Sequence, residues 1–109
     1  MATGRLGTAD LTGSTYTALY TVPADTFSVV TVNLLNRSGA AVDCRIAVTT
    51  QTPPSAPNNA EFIEYDVNIS PSGVMERTGL VLDAGKIVSV YSSDTGVSAV
   101  CMGIETSTT

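Results

Sequence analysis

Apolar and polar residues alternate along much of the chain. In the segment from Ala24 to Leu35, ADTFSVVTVNLL, the residues Val30, Val32 and Leu34 fall on one side. This period of two, the many β-branched residues and the absence of Glu, Lys and Gln predict a β-strand and not a helix. The opposite side is also largely apolar, which predicts a strand in the centre of a sheet. The residues of that opposite side are Phe27, Val29 and Leu35.

Three further segments show the same alternation, and each is predicted to bury one face. The residues predicted to face the core are Tyr16, Ala18, Tyr20 and Val22 in the first segment, Val42, Cys44, Ile46 and Val48 in the second, and Ile63, Tyr65, Val67 and Ile69 in the third. The residues predicted to face solvent in the second and third segments are Asp43, Arg45, Thr49, Glu64, Asp66 and Asn68. The remaining predicted strands are VMERTGLVL, KIVSVYSS and VSAVCMGIE, with Arg5 to Leu11 as a weaker edge candidate.

Short turn sequences separate these segments. NRSG, SPSG, DAGK and DTG each begin with Asn, Ser or Asp and contain a glycine, as β-turns commonly do. Seven or eight short strands at this spacing predict an all-β fold, an antiparallel β-sandwich or jelly roll with almost no helix. The length of 109 residues fits a single domain over 1–109.

Three parts of the chain do not fit the strand pattern well. Residues 51–60, QTPPSAPNNA, hold three of the five prolines and are predicted to form a protruding loop. Residues 1–11 are predicted to be an N-terminal arm or an edge strand, and residues 106–109 a polar tail. We expect partner contacts from the segments Ala2 to Leu11 and Pro53 to Asn59 and from the tail, because extended arms can add a strand to a neighbour's sheet.

The composition restricts the classes of partner. Charged residues make up 14% of the chain, against about 25% in an average domain, so the protein either hides surface in an assembly or relies on Thr, Ser and Asn for solvation. The net charge is −5 without a Lys/Arg cluster, and we therefore expect no nucleic-acid binding and no docking to anionic membranes.

The expected cellular compartment follows from the lack of a recognisable membrane span or secretory signal in the sequence. No apolar run approaches the roughly 18 residues of a membrane span, and no secretory signal is recognised. We expect folding in a reducing cytosol, with Cys44 and Cys101 as buried free thiols.

Candidate chemistry is sparse. The chain has no His, which excludes Ser–His and Cys–His nucleophiles and removes the commonest metal ligand. Two Cys residues 57 positions apart do not have zinc-site spacing, and the glycines do not form a phosphate-binding loop. We therefore predict that the protein is not an enzyme and has no catalytic, cofactor-binding or metal-binding residues.

Two clusters allow a functional or a structural interpretation. Glu61, Glu64 and Asp66 could serve as paired carboxylates for glycoside hydrolysis or Ca²⁺ binding, and the alternative is a solvated outer face. The four tyrosines could form a sugar-stacking platform, whereas the alternative places them in the core with their hydroxyls at its rim. The four tyrosines are Tyr16, Tyr20, Tyr65 and Tyr91. We favour the structural interpretation for the acidic cluster and for the tyrosines.

The ERTG motif raises a separate question. Glu76 and Arg77 fall on opposite faces of a strand, so they cannot pair with each other within it. Arg77 is predicted to pair with Asp66 or Glu64 across a strand or an interface, with an ordinary surface Arg as the alternative.

Several motifs together resemble a known group of proteins. They are YTVPA, NRS, EYD, MERTG and GIE, distributed between Tyr16 and Glu105. The set resembles small virion structural proteins of tailed bacteriophages, including phages of cyanobacteria. The resemblance implies a β-sandwich present in many copies on a particle and implies no catalytic residues.

The expected function is that of a virion structural accessory protein, assembled in the host cytoplasm. It would be a capsid decoration protein or a tail- or baseplate-attached protein, and its partners would be major capsid or tail proteins and copies of itself. The alternative is a carbohydrate- or receptor-binding module that recognises a host glycan. No cofactor is expected for either function.

Overall fold

The computed structural model describes residues 2–109, which form eight β-strands and one turn of 3-10 helix at Asn59–Glu61. None of the helical residues in this range belongs to a helix long and apolar enough to cross a membrane. The prediction of an all-β chain with almost no helix is confirmed. The strands are β1 (Thr3–Asp10), β2 (Thr17–Thr21), β3 (Thr26–Asn36), β4 (Val42–Thr49), β5 (Phe62–Ile69), β6 (Val74–Leu82), β7 (Ile87–Ser92) and β8 (Val97–Ser107).

The strands form two antiparallel sheets of four strands each. Sheet A has the order β1-β8-β3-β6, and sheet B has the order β2-β7-β4-β5. The first strand thus pairs with the last, the second with the seventh, the third with the sixth and the fourth with the fifth. This is the pairing of one long hairpin that is folded into two layers. This is the topology of a jelly roll, so the predicted sandwich is confirmed.

The core lies between the inner faces of the two sheets. β3 contributes Val30, Val32 and Leu34, and they pack in one cluster with Val88 and Val90 of β7. Each such side chain contributes about 1.5–3 kcal/mol when it is removed from water. The alternation of β3 therefore fixes its inner face as the sequence predicts.

The four edge strands carry β-bulges, whereas the central strands pair with each other without interruption. β3 and β8 stay in register along all eleven residues of β3, and β4 and β7 pair without a shift. Bulges twist an edge strand and hinder the addition of another strand. The register shifts lie at Leu6 in β1, at Leu19 in β2, at two points in β5 and near Gly79 in β6.

The bulge in β2 changes which of its residues face the core. Ala18 pairs with Ser89, but Tyr20 pairs with the next residue of β7, Val88, and Leu19 is the extra residue. Tyr20 is buried and Ala18 is exposed. The prediction that Tyr16 and Ala18 share a buried face with Tyr20 and Val22 is therefore wrong, because one inserted residue reverses the alternation.

The same effect corrects the prediction for β5. Asp66 has a φ of 51° and lies in a bulge, since Val67 pairs with Cys44 whereas Glu64 pairs with Ile46. Tyr65, predicted to be buried, is 57% exposed. Glu64, predicted to face solvent, lies instead opposite the core residue Ile46.

Residues 51–60 connect β4 to the 3-10 turn and β5, contain no strand, and have seven exposed side chains. The hydroxyl of Thr49 donates to Glu61 Oε1 at 2.7 Å and accepts a hydrogen bond from the backbone N–H of Gln51 at 2.9 Å. Pro57 is buried. Thr49 is fully buried, so the prediction that it faces solvent is wrong.

Both ends of the described chain are paired in sheet A. β1 is an edge strand, as one of the two alternatives predicted, and its partner is β8. The predicted polar tail is strand as far as Ser107, which pairs with Thr26, and the backbone N–H of Thr108 donates to Asp25 O at 3.0 Å. The segments predicted as an N-terminal arm and a polar tail are therefore paired within sheet A.

Candidate interaction surfaces

The outer face of sheet A holds most of the exposed apolar surface. Among residues 2–109, eight large apolar side chains are exposed, and seven of them project from this face. The face is thus far more apolar than the rest of the surface, a feature that commonly marks a site of protein association. The seven residues are Phe27, Val29, Leu35, Val74, Val81, Met102 and Ile104.

The register of the strands places three of these residues in one row. Val29 of β3 pairs with Val81 of β6 on one side and with Ile104 of β8 on the other. Their side chains are 42%, 73% and 55% exposed, respectively. Phe27 and Met102 lie two positions along their strands from this row. We call these five residues the apolar face.

The apolar face includes the second apolar side of β3. β3 is a central strand of its sheet, as predicted from its two apolar sides. The second side, with Phe27 and Val29, is nevertheless exposed because no second layer of the described chain covers it. The second apolar side of β3 therefore marks an uncovered surface.

Two charged residues flank the apolar face at opposite edges of sheet A. Arg5 of β1 pairs with Met102, and Glu76 of β6 pairs with Asn33. Within residues 2–109, Arg5 is the one base that forms no ion pair with an acidic side chain. The other four bases form the pairs Arg37–Asp10, Arg45–Asp66, Arg77–Glu64 and Lys86–Asp83.

The outer face of sheet B carries a different cluster, centred on Arg45. The guanidinium carbon lies 4.2 Å from the ring centre of Tyr65 and 4.5 Å from that of Tyr91. Its Nε and Nη2 donate to the carboxylate of Asp66 at 2.6 and 3.3 Å, and Nη1 donates to the hydroxyl of Tyr16 at 2.8 Å. Hydrogen bonding to Arg45 lowers the pKa of the Asp66 carboxyl.

Aromatic contacts complete this group, which we call the aromatic cluster: Tyr16, Arg45, Phe62, Tyr65, Asp66 and Tyr91. Tyr16 lies 4.9 Å from Tyr91 and 6.2 Å from Phe62, and Phe62 meets Tyr65 edge-on at 5.0 Å between ring centres. The core interpretation of the tyrosines is therefore wrong for Tyr16, Tyr65 and Tyr91. The ring of Tyr65 and the carboxylate of Asp66 are the exposed parts that could contact a ligand.

Tyr20 lies apart from the other tyrosines, with its ring in the core. Its hydroxyl donates to Glu105 Oε2 at 2.6 Å and lies 2.6 Å from Ser28 Oγ, which must be the donor of that second bond because the single Tyr20 proton is already used. Burial and the Glu105 bond raise the pKa of Tyr20 to about 12. Glu105 Oε1 also accepts from the backbone N–H of Ala2 at 3.0 Å.

The three carboxylates of the predicted acidic cluster are separated. Glu61 bonds to Thr49, Glu64 pairs with Arg77 at 3.1 Å, and Asp66 pairs with Arg45 on the outer face. The predicted pairing of Arg77 with Glu64 or Asp66 is thus confirmed for Glu64. Residues 2–109 contain no group of three or more Cys, Asp or Glu side chains arranged to hold a metal ion.

The two thiols occupy the core. Cys44 and Cys101 are fully buried and are not joined in a disulfide, as the sequence predicts. Burial raises the pKa of each thiol to about 11. Both groups are protonated at neutral pH and are shielded from reagents, so neither has the character of a reactive cysteine.

No pocket opens among residues 2–109. Comparison of the chain with protein-family models, with curated proteins and with solved structures gave no match.

Proposed function

We propose that the protein is a non-enzymatic structural subunit of a bacteriophage particle and that it joins other protein subunits through the apolar face of sheet A. The observation that carries the proposal is the exposed row of Val81, Val29 and Ile104 across three strands. Burying side chains of this size against a complementary surface contributes about 1.5–3 kcal/mol each. Association through this face therefore has a clear driving force.

The form of the edge strands favours association through a face. All four edges of the two sheets carry bulges, and a bulged edge is a poor template for an additional strand. The proposed contact is therefore the packing of sheet A on a partner surface and not the addition of a strand by an extended arm.

The assignment to a virion rests on the resemblance of the YTVPA, NRS, EYD, MERTG and GIE motifs. The partners would be major capsid or tail proteins and copies of the chain itself, and the location would be capsid decoration or attachment to the tail or baseplate. Jelly rolls occur in viral capsid proteins and also in lectins, so the architecture by itself does not choose between these functions.

The proposal can be tested with particles of the phage that encodes the chain. Particles that lack the protein would be incubated with the wild-type protein, with an Ile104→Asp variant or with a Tyr65→Ser variant as a control for a change on the opposite sheet. We expect the wild type and Tyr65→Ser to bind in many copies and Ile104→Asp to bind weakly. Absence of the protein from native particles would contradict the proposal.

Carbohydrate binding at the aromatic cluster is a second candidate function. It is favoured by the exposed ring of Tyr65, which lies beside the carboxylate of Asp66 on the outer face of sheet B. Sugars stack on exposed aromatic rings and bond to neighbouring polar groups. In a glycan-binding assay this candidate predicts loss of affinity for Tyr65→Ser and unchanged affinity for Ile104→Asp, the reverse of the particle assay.

A further inference from the structure

We infer that the apolar face is covered by a second copy of this chain and that the two copies are related by a twofold axis parallel to the strands of sheet A. The inference deepens the proposed function, since it names the occupant of the same face. It rests on three observations: the position of the apolar row, the position of the two flanking charges and the extent of the face.

A rotation about such an axis reverses the strand order of the partner sheet. The order β1-β8-β3-β6 of one copy then faces β6-β3-β8-β1 of the other. β8 lies over β3, so Ile104 of each copy meets Val29 of the other. The apolar row therefore packs on the apolar row, and Val81 at one end meets Thr3, the residue that pairs with Ile104 in β1.

The flanking charges fit the same arrangement. Arg5 lies at the β1 edge and Glu76 at the β6 edge, and the reversed strand order brings Arg5 of one copy to the edge that carries Glu76 of the other. Arg5 is level with Thr31 of β3, through Met102, and Glu76 is level with Asn33 of β3. The two charged residues are therefore offset by two residues, or about 7 Å, along the strand direction. Packed sheets are rotated by about 30° relative to each other and Arg is long, so this offset can be spanned.

A second face-to-face twofold arrangement does not bring Arg5 of one copy to Glu76 of the other. An axis perpendicular to the strands, in the plane between the sheets, keeps the strand order and places β1 over β1. Arg5 then lies on the same side as Arg5 of the second copy, and Glu76 stays at the opposite edge. Arg5, the one base without an acidic partner in residues 2–109, faces Glu76 of the second copy only in the first arrangement.

The size of the face is close to that of a standard interface. Four strands about 4.8 Å apart and about ten residues long at 3.4 Å per residue give a face of roughly 650 Å² in projection. A stable interface buries about 800 Å² of accessible surface per partner. Because side chains make the accessible area larger than its projection, sheet A is large enough to form one.

The first test is the mass in solution. Sedimentation equilibrium of the wild-type protein from micromolar to submillimolar concentration should give twice the chain mass of 11.2 kDa. Val29→Asp and, separately, Ile104→Asp should be monomeric while retaining the circular-dichroism spectrum of the fold. Thr95→Asp, in the exposed turn between β7 and β8, should remain dimeric. A monomeric wild type, or a folded dimer of both apolar-face variants, would overturn the inference.

The second test is a charge reversal, which reports the orientation. Arg5→Glu and Glu76→Arg should each weaken the dimer about fivefold, because the exposed pair occurs twice in a symmetric dimer. The double variant should return to within about twofold of the wild-type dissociation constant. Failure of the double variant to recover affinity would overturn the inference.

The outcomes separate this inference from the proposed function. A monomeric protein that still joins particles through Ile104 would keep the proposed function and overturn the inference, since a different protein would then cover the face. A dimer with the predicted charge dependence that never enters particles would support the inference and contradict the proposed function.

Discussion

Arg77 and Glu64 join the two sheets at one side of the sandwich, with 3.1 Å between Nη1 and Oε2. Arg77 of β6 pairs with the core residue Val32, and Glu64 of β5 pairs with the core residue Ile46. Both charged residues thus occupy inward positions on edge strands, where the core ends. The ion pair covers the side of the core between β5 and β6.

This arrangement predicts a measurable coupling between the two residues. In a double-mutant cycle of Arg77→Met and Glu64→Gln, urea unfolding should give a coupling of about 0.5–1 kcal/mol, which decreases at high salt. The more exposed pair of Arg37 and Asp10 serves as the control and should show a smaller coupling. Equal couplings for the two pairs would indicate that the position at the end of the core has no effect.

The opposite side of the sandwich is closed by backbone contact. A Cβ atom at Gly7 of β1 would lie 2.0 Å from the carbonyl oxygen of Leu19 in β2. Gly7→Ala should therefore destabilise the protein by at least about 2 kcal/mol, because the strands must separate. Gly39→Ala is the control, since a Cβ there meets no atom within 4 Å. A similar thermal midpoint for both variants would contradict the close approach.

The inner and outer faces of sheet A should respond differently to truncation. Val32 is fully buried, whereas Val81 is mostly exposed. Val32→Ala should reduce the free energy of unfolding by about 1–3 kcal/mol, and Val81→Ala by a few tenths at most. Denaturant unfolding of dilute protein, below the concentration of association, measures both values. A loss below a few tenths for Val32→Ala would contradict the assigned inner face.

The buried thiols and Tyr20 predict a loss of stability at alkaline pH. Burial raises the pKa of both thiols from 9.0 to about 11 and is the main cause that raises the pKa of Tyr20 from 10.0 to about 12. Because the unfolded chain ionises first, the stabilising contribution is complete below pH 9 and is lost as the pH rises towards 11 or 12.

Urea midpoints measured from pH 8 to pH 12 should therefore fall above pH 9, and the fall should be smaller in Tyr20→Phe. Over the same range the reaction of Cys44 and Cys101 with a thiol reagent should follow global unfolding. A constant urea midpoint, or a rapid reaction of both thiols in the folded protein, would show that these groups are accessible in the native state.

The sequence predicts the strands well because alternation depends on each segment alone. The phase of β3 and the inward positions of Cys44 and Ile46 follow directly from the spacing of apolar residues. The predictions fail at Leu19 in β2 and at Asp66 in β5, where a bulge reverses the alternation. A bulge depends on pairing with the neighbouring strand, which a local pattern does not contain.

The sequence indicates some residues of the candidate surfaces but not which side chains are exposed. Phe27 and Val29 were recognised as a second apolar side of β3, but whether another layer covers that side is decided by the arrangement of the whole chain. The aromatic cluster was missed because it depends on the same reversed alternation, which moves Tyr16 and Tyr65 to the outer face beside Arg45. The sequence therefore identifies Tyr16 and Tyr65 as candidate residues but predicts that they face the core, whereas they lie on the outer face of sheet B.

Hydroxyl-radical footprinting of the assembled protein tests the central claim most directly. Met102 and Phe27 lie on the apolar face of sheet A, whereas Tyr65 is exposed on the outer face of sheet B. Compared with monomeric Val29→Asp, the assembled wild type should show strong protection of Met102 and Phe27 and unchanged labelling of Tyr65. Equal labelling of Met102 in the two samples, or protection of Tyr65 alone, would contradict assembly through the apolar face.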